Sequence, residues 1–435
     1  MAGLASHRGR TAKARLTGAF FARLLCALLI VCAMRGFCQS RTQDVTCSDG
    51  SGKFETTFGT GVTVSVGAVS RGGLSTRTCT ASLEWDGQKL MVASHAGRIG
   101  IDVLGADLGL GGPVVAFQIR HSDVALQSEY RIYSLQKPPR LLRTLTGGET
   151  YSAADTYLDG QVEIWTDDAS GVDGFDGLPA AALDFAPTVV LRFEKRRLMD
   201  VSAEFRSRYD QQIAAVRDHL DAQELSAFRN SDGKLPVKIG MPLDQYQHLW
   251  KTKMKVLEIV WSYLYSGREQ EAWKALDTMW PPSDLNRIRA AIENARGRGI
   301  LREVDGVAPP SSRWHWKMHV TIYDTDAKRA VGGTDAVSTA VSMGGPSRVA
   351  EPVVTAPKPI LLRGLSQSDI LAGLPKTQQW VDLVIDAAGK VRSVKNAGNA
   401  DKDILAAAEA WHFIPAFKDG SPVACRFRMN VWYLK

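Results

Sequence analysis

The 435 residues hold 53 Lys and Arg against 46 Asp and Glu, a formal net charge of +7. Six of those bases and none of the acids lie in the first 40 residues, so the remainder holds 47 bases against 46 acids. No broad basic field is left to attract phosphates, which excludes nucleic acid as a partner.

Residues 1–40 read as an export signal. Arg8, Arg10, Lys13 and Arg15 precede an unbroken apolar run of 11 residues, Leu24 to Met34. A membrane span needs ~20 apolar residues and a signal core only ~7 to 15. Cleavage is expected near Cys38-Gln39-Ser40, with an uncleaved membrane anchor as the alternative. Bulky Val31 before Cys32 and Phe37 before Cys38 argue against lipid attachment. The exported chain then keeps Cys47, Cys79 and Cys425. In an oxidising compartment Cys47 and Cys79 are a candidate bridge between neighbouring strand segments, and Cys425 is an inert buried thiol.

Residues 41–205 form a β-rich module. Val62, Val64 and Val66 alternate onto one face. Ala81 to Trp85 and Lys89 to Ala93 flank Asp86-Gly87, a two-residue hairpin signal. Val114 to Ile119 and Tyr130 to Leu135 are further short strands, and this spacing predicts a sandwich, a barrel or propeller-like blades. Between Arg143 and Arg192 there is no Lys or Arg, yet there are nine acids: Glu149, Asp155, Asp159, Glu163, Asp167, Asp168, Asp173, Asp176 and Asp184. Crowded carboxylates repel one another, and a cation would relieve that. Asp155, Asp159 and Glu163 stand at loop positions 1, 5 and 9 with Gly160 at 6, which makes calcium the candidate cofactor. This stretch resembles the calcium loop of integrin-type FG-GAP repeats, with Tyr157 where that loop has a third oxygen ligand. The alternative is a solvated acidic turn before the strand Val162 to Trp165.

Residues 206–304 are helical. Gln211 to Leu220 and Gln223 to Arg229 precede a break at Ser231-Asp232-Gly233. Met254 to Tyr265 and Arg268 to Trp280 are joined at Ser266-Gly267, and Asp284 caps a helix over Leu285 to Ala295. The placement of Tyr263, Gly267, Ala272 and Leu276 resembles one tetratricopeptide unit. Trp250, Trp261, Trp273 and Trp280 are read as core or domain-interface residues rather than a ligand cage. Residues 305–330 are a strand segment. His315 and His319, four apart on a strand, stand ~13 Å apart and cannot share a metal. Residues 331–359 are a Gly, Ser and Pro linker.

Residues 360–435 hold the terminal domain. Trp380 to Ile385 and Val391 to Val394 flank the turn Asp386-Ala387-Ala388-Gly389, a hairpin. Asp401 to His412 has helical spacing, with Ile404, Leu405, Ala408 and Trp411 on one face. Val423 to Tyr433 alternates, with Cys425, Phe427 and Met429 on one side and Arg426, Arg428, Asn430 and Trp432 on the other. The order is β-β-α-β. Over residues 380–435, about an eighth of the chain, this resembles the C-terminal domain of TonB-family energy transducers. The resemblance lies in Trp411, Phe413, Pro415 and Ala416 between helix and last strand, then Asp419, Gly420, Pro422 and Val423 at the turn.

The resemblance implies docking by strand pairing, with a partner's extended peptide adding to the edge of the last strand. Arg426, Arg428, Asn430 and Trp432 are the candidate partner-binding residues, and the implied partner is an envelope protein or outer-membrane receptor. A small packing module without a partner is the plainer alternative. A membrane-anchored energy transducer is another, although no His lies between Thr11 and Ser94 to couple it to a proton gradient. An envelope hydrolase using the acidic segment is a third. The chain has no P-loop, dinucleotide-binding glycine fingerprint or nucleophile elbow, and Ser65 and Ser94 lack supporting context, so it is read as a non-enzyme. The fold class expected is α+β and multidomain.

Overall fold

Alternating Val62, Val64 and Val66 build the first core, because each turns its side chain onto the same buried face of a sheet. The computed structural model describes residues 45–48, 53–70, 77–122, 127–178, 183, 185–235, 242–308, 322–325, 330–331, 354–361, 376–398, 400 and 402–434. Residues 1–40, read above as an export signal, therefore lie outside the described residues, as do His315, His319 and most of the expected linker.

The chain begins with β1 (Val45–Ser48), β2 (Lys53–Thr57), β3 (Thr63–Ser70), β4 (Arg77–Trp85) and β5 (Gln88–Ala96). It continues with β6 (Arg98–Leu104), β7 (Val114–Arg120), β8 (Glu129–Ser134) and β9 (Leu141–Leu145). β2-β3-β4-β5 is one antiparallel sheet, and β1-β6-β7-β8-β9 is the sheet facing it. Asp86 and Gly87 both take positive φ, 45° and 74°, closing the β4–β5 hairpin. Cys47 of β1 and Cys79 of β4 are joined in a disulfide that ties the two sheets together. On β7, Val115, Phe117 and Ile119 enter this sandwich core, while Val114 and Ala116 enter a second core on the other side. That is why β7 reads as an apolar run instead of an alternation: both of its faces are covered.

The second core lies under β10 (Tyr151–Ala154), β11 (Glu163–Asp167), β12 (Thr188–Glu194), β13 (Arg197–Asp200) and β14 (Gly306–Val307). Its helices are α1 (Ala169–Val172), α2 (Arg206–Asp218), α3 (Ala222–Arg229), α4 (Leu243–Tyr265), α5 (Glu269–Met279) and α6 (Leu285–Arg298). Val189 and Leu191 of β12 share one cluster with Val256, Val260 and Trp261 of α4 and Ile288 and Ile292 of α6. The β-rich and helical regions meet in one core, with no break at residue 205. At ~2 to 3 kcal/mol per large apolar side chain fully buried, Trp261 and Trp280 are major contributors. Asp221 caps α3 by accepting from the Gln223 and Glu224 amides. Asp284 stands at the N-cap position of α6 without a side-chain cap bond; its carboxylate accepts from Arg287 and the Trp280 indole. α4 starts well before Met254, because Asp244, Gln245 and Gln247 blur the apolar period of its first turns.

The terminal unit comprises β15 (Tyr323–Thr325), β16 (Ala330–Val331), β17 (Val354–Thr355), β18 (Lys358–Leu361), β19 (Lys376–Ile385) and β20 (Val391–Asn396). After α7 (Lys402–Ala408) come β21 (His412–Ile414), β22 (Ala416–Lys418), β23 (Ser421–Val423) and β24 (Cys425–Leu434). The last part of the expected linker is not linker. β17 pairs with β22 and β18 with β21. The last strand begins at Cys425, because Val423 belongs to β23, which pairs with β22 around Asp419 and Gly420, both at positive φ. Val381, Leu383, Ile385, Ile404, Ala408, Trp411, Phe413, Ala416, Cys425, Phe427 and Met429 form its core. The fold is α+β throughout.

Candidate functional site

β24 runs antiparallel to β19 over its whole length, from Ile385 opposite Cys425 to Lys376 opposite Leu434. Arg426 and Arg428 are exposed, while Cys425, Phe427 and Met429 are buried. Arg428 is held in a two-point pair with Asp382 across β19, at 2.6 and 2.8 Å. That pair keeps the Asp382 carboxyl below its ordinary range. Asn430 and Trp432 are placed by register alone, opposite Trp380 and Gln378.

The far edge of β24 was expected to be open, and it is not. β15 pairs parallel with Cys425, Arg426 and Phe427, and β16 with Asn430 and Val431. Arg428 and Met429 pair with no strand on that side among the described residues. The sequence marks 305–330 as strand but carries nothing that says which strand it joins.

The turn between β19 and β20 fixes this unit on the rest of the chain. Asp386 is fully buried. Its Oδ1 accepts from the Ala388 and Lys390 amides, both at 2.9 Å, and its Oδ2 from the Asp155 amide at 3.0 Å. Gly389, at φ 83°, donates to the Asp386 carbonyl, and an added Cβ would stand 1.9 Å from the Phe413 carbonyl oxygen. Lys390 Nζ donates to Asp102 Oδ1 at 2.7 Å and to the Asp102 carbonyl at 2.9 Å. Asp102 Oδ2 accepts from the Tyr130 hydroxyl at 2.7 Å and the Ala153 amide at 2.8 Å. Arg392 donates to the Thr156 carbonyl at 3.1 Å.

Burial, reinforced by the nearby Asp155 carboxylate, pushes Asp386 up to about 7. Burial likewise pushes Asp155 up to about 6. Burial, with Asp386 adding to it, pushes the Cys425 thiol up to about 12, so at neutral pH it carries no thiolate to react.

The acids of this segment are met by backbone amides and, at Glu149, Glu163 and Asp176, by bases distant in sequence. Asp155 accepts from the Asp159 and Gly160 amides at 2.9 Å each, and Asp159 accepts from Gln161 at 2.9 Å. Glu163 accepts from the Thr156 amide at 3.1 Å and lies 3.6 Å from Arg192, which also pairs with Glu194 and Glu204. Burial pushes Glu163 up to about 7. Tyr157, in the third loop position, stacks on Phe205 at 5.3 Å. Asp176 is held by Arg287 and by Lys253, which is 1% exposed, and Glu149 pairs with Arg120. Asp168 is buried, accepting from the Gly171 and Ile300 amides and the Tyr265 hydroxyl. Asp184 lies outside the described residues. Among the described residues, no three of His, Cys, Asp and Glu are grouped to hold a metal ion.

The tryptophans are likewise engaged from within. Lys253 lies between Trp250 and Trp280, at 5.6 and 5.8 Å from their rings, and Arg289 lies over Trp273 at 4.4 Å. Sequence reasoning missed Asp102 and Lys390 altogether and saw Tyr130 only as the start of a strand and Asp386 only as a turn residue. The one signal available was a Lys directly after the turn glycine, in a position that the fold buries.

Comparison of the chain with protein-family models, with curated proteins and with solved structures finds no match.

Proposed function

We propose that this chain is an exported binding or scaffold protein of the cell envelope. Its TonB-like C-terminal sheet engages an envelope protein or outer-membrane receptor by strand pairing. The observation that carries the reading is the outer edge of β24. It pairs with extended segments distant in sequence, β15 and β16, as parallel strands, so a partner's extended peptide would add there by replacing them. The Cys47–Cys79 disulfide fits an oxidising compartment. The bonds of Asp386, Lys390 and Arg392 give the sheet a rigid base on the β-rich module, so the module acts as a platform.

The test is site-specific photo-crosslinking in cells, with the reactive amino acid at position 428 on β24 or at exposed Glu409 as a control. The proposal expects a crosslink to an envelope protein from 428 and none from 409. Equal yields from both positions, or none from either, would refute it.

A further inference from the structure

We propose that the cleft between the starts of α2 and α5 and the flank of α6 binds a short zwitterionic peptide. It is a site separate from the strand edge of the terminal unit. The cleft has a volume of about 580 Å3, inside the ~300 to 1,000 Å3 range of small-ligand sites. Arg206, Arg268, Gln270, Glu271, Trp273 and Arg289 line it. Arg268 lies over the Tyr263 ring at 4.8 Å and donates to the Ser266 hydroxyl at 2.8 Å, while Arg289 lies over the Trp273 ring at 4.4 Å. Contact with a ring holds a guanidinium in place without consuming its N–H donors. The charge of Arg268 is offset by Asp210 and that of Arg289 by Glu293. Glu269, also at the cleft, accepts from the Trp273 indole at 3.1 Å. Arg206 and Glu271 are left exposed, with no hydrogen bond or ion pair to any of the described residues. One unmet cation and one unmet anion on a common cleft suit a ligand that carries both signs. A peptide's terminal carboxylate would take charge-assisted bonds from Arg206, and its terminal ammonium would donate to Glu271. Gln270, between them on the lining, has both a donor and an acceptor for the peptide group that joins the two ends.

The probe is unblocked trialanine, titrated by calorimetry into the full chain and into its Arg206→Gln and Glu271→Gln variants. Low ionic strength is used, because exposed charges are screened by salt. Both substituted side chains are exposed, and an unchanged urea midpoint confirms that the variants fold. The expected result is saturable binding to the parent that is weaker by about tenfold or more in each variant. N-acetyl-trialanine should lose as much as Glu271→Gln does, and trialanine amide as much as Arg206→Gln. Glu271→Gln should then weaken the acetylated peptide no further. No saturable binding to the folded parent would overturn the site, as would binding that both substitutions leave unchanged. Blocked peptides that bind as well as the unblocked one would overturn the zwitterion assignment and the proposal with it.

Discussion

Lys390 and Asp102 stand 288 positions apart in the chain, yet their charged groups meet at 2.7 Å in a buried site. This pair bonds the turn of the terminal hairpin to β6. Removing one charge of a buried pair strands the other, at about 3 to 5 kcal/mol, whereas replacing both by apolar groups is far milder. Lys390→Met should therefore destabilise the chain by about 3 kcal/mol or more. Asp102→Asn/Lys390→Met, which keeps an acceptor for the Tyr130 hydroxyl and the Ala153 amide, should recover part of that loss. Chemical denaturation of the four members of the cycle checks it, and additive losses would show that the pair is not coupled.

Stability should fall as the pH rises from about 4 to 7. Asp386 and Glu163 are pushed up to about 7 and Asp155 to about 6, all by burial. A carboxyl that holds its proton more tightly when folded contributes stability at low pH. That contribution is lost as the pH rises through the folded value. Asp284 works the other way: burial alone would raise it, but bonds from Arg287 and Trp280 hold it low, so its contribution is lost in acid. The urea midpoint should be higher at pH 5.5 than at pH 8, and Asp386→Asn should flatten that slope. A midpoint that rises over this window would contradict the assignment.

Gly389→Ala should unseat the same turn. The backbone there is at φ 83°, and the new Cβ would collide with the Phe413 carbonyl, an acceptor that cannot swing away like a side-chain end. The Phe413 amide also donates to the Gly389 carbonyl at 2.9 Å, so movement of the turn drags β21 with it. A loss of about 2 kcal/mol or more in thermal or urea denaturation is expected for a strained left-handed position.

Cys47→Ser/Cys79→Ser should cost about 3 to 4 kcal/mol, from the loop entropy that a crosslink spanning 32 positions removes from the unfolded chain. The two sheets of the sandwich should loosen together, which amide exchange over β1 and β4 would report. Loosening confined to β1 would contradict the role given to the bridge.

What the sequence made legible was local. Asp86-Gly87 and Asp419-Gly420 mark hairpins by turn chemistry, and Val62, Val64 and Val66 mark a buried face by their period. Trp411 and Phe413 stand out as large apolar groups at the end of a helix, and both are buried. What stayed hidden was the long-range pairing, the Cys47–Cys79 bridge excepted. Nothing near Asp176 names Lys253 or Arg287, and nothing near Glu163 names Arg192. The place of β15 was hidden for the same reason: parallel pairing of Tyr323 with Cys425 joins residues a hundred positions apart, with no turn between them to set the register.

The most direct measurement uses Asp324→Cys/Arg426→Cys, which puts cysteines at register partners of β15 and β24. Photo-crosslinking from position 428 is then compared between chains with this crosslink oxidised and selectively reduced, beside a parent carrying the same probe. The account predicts capture of the envelope partner by the parent and by the reduced variant, and none by the oxidised one. Undiminished capture with β15 locked in place would mean that the partner docks somewhere other than the edge of β24.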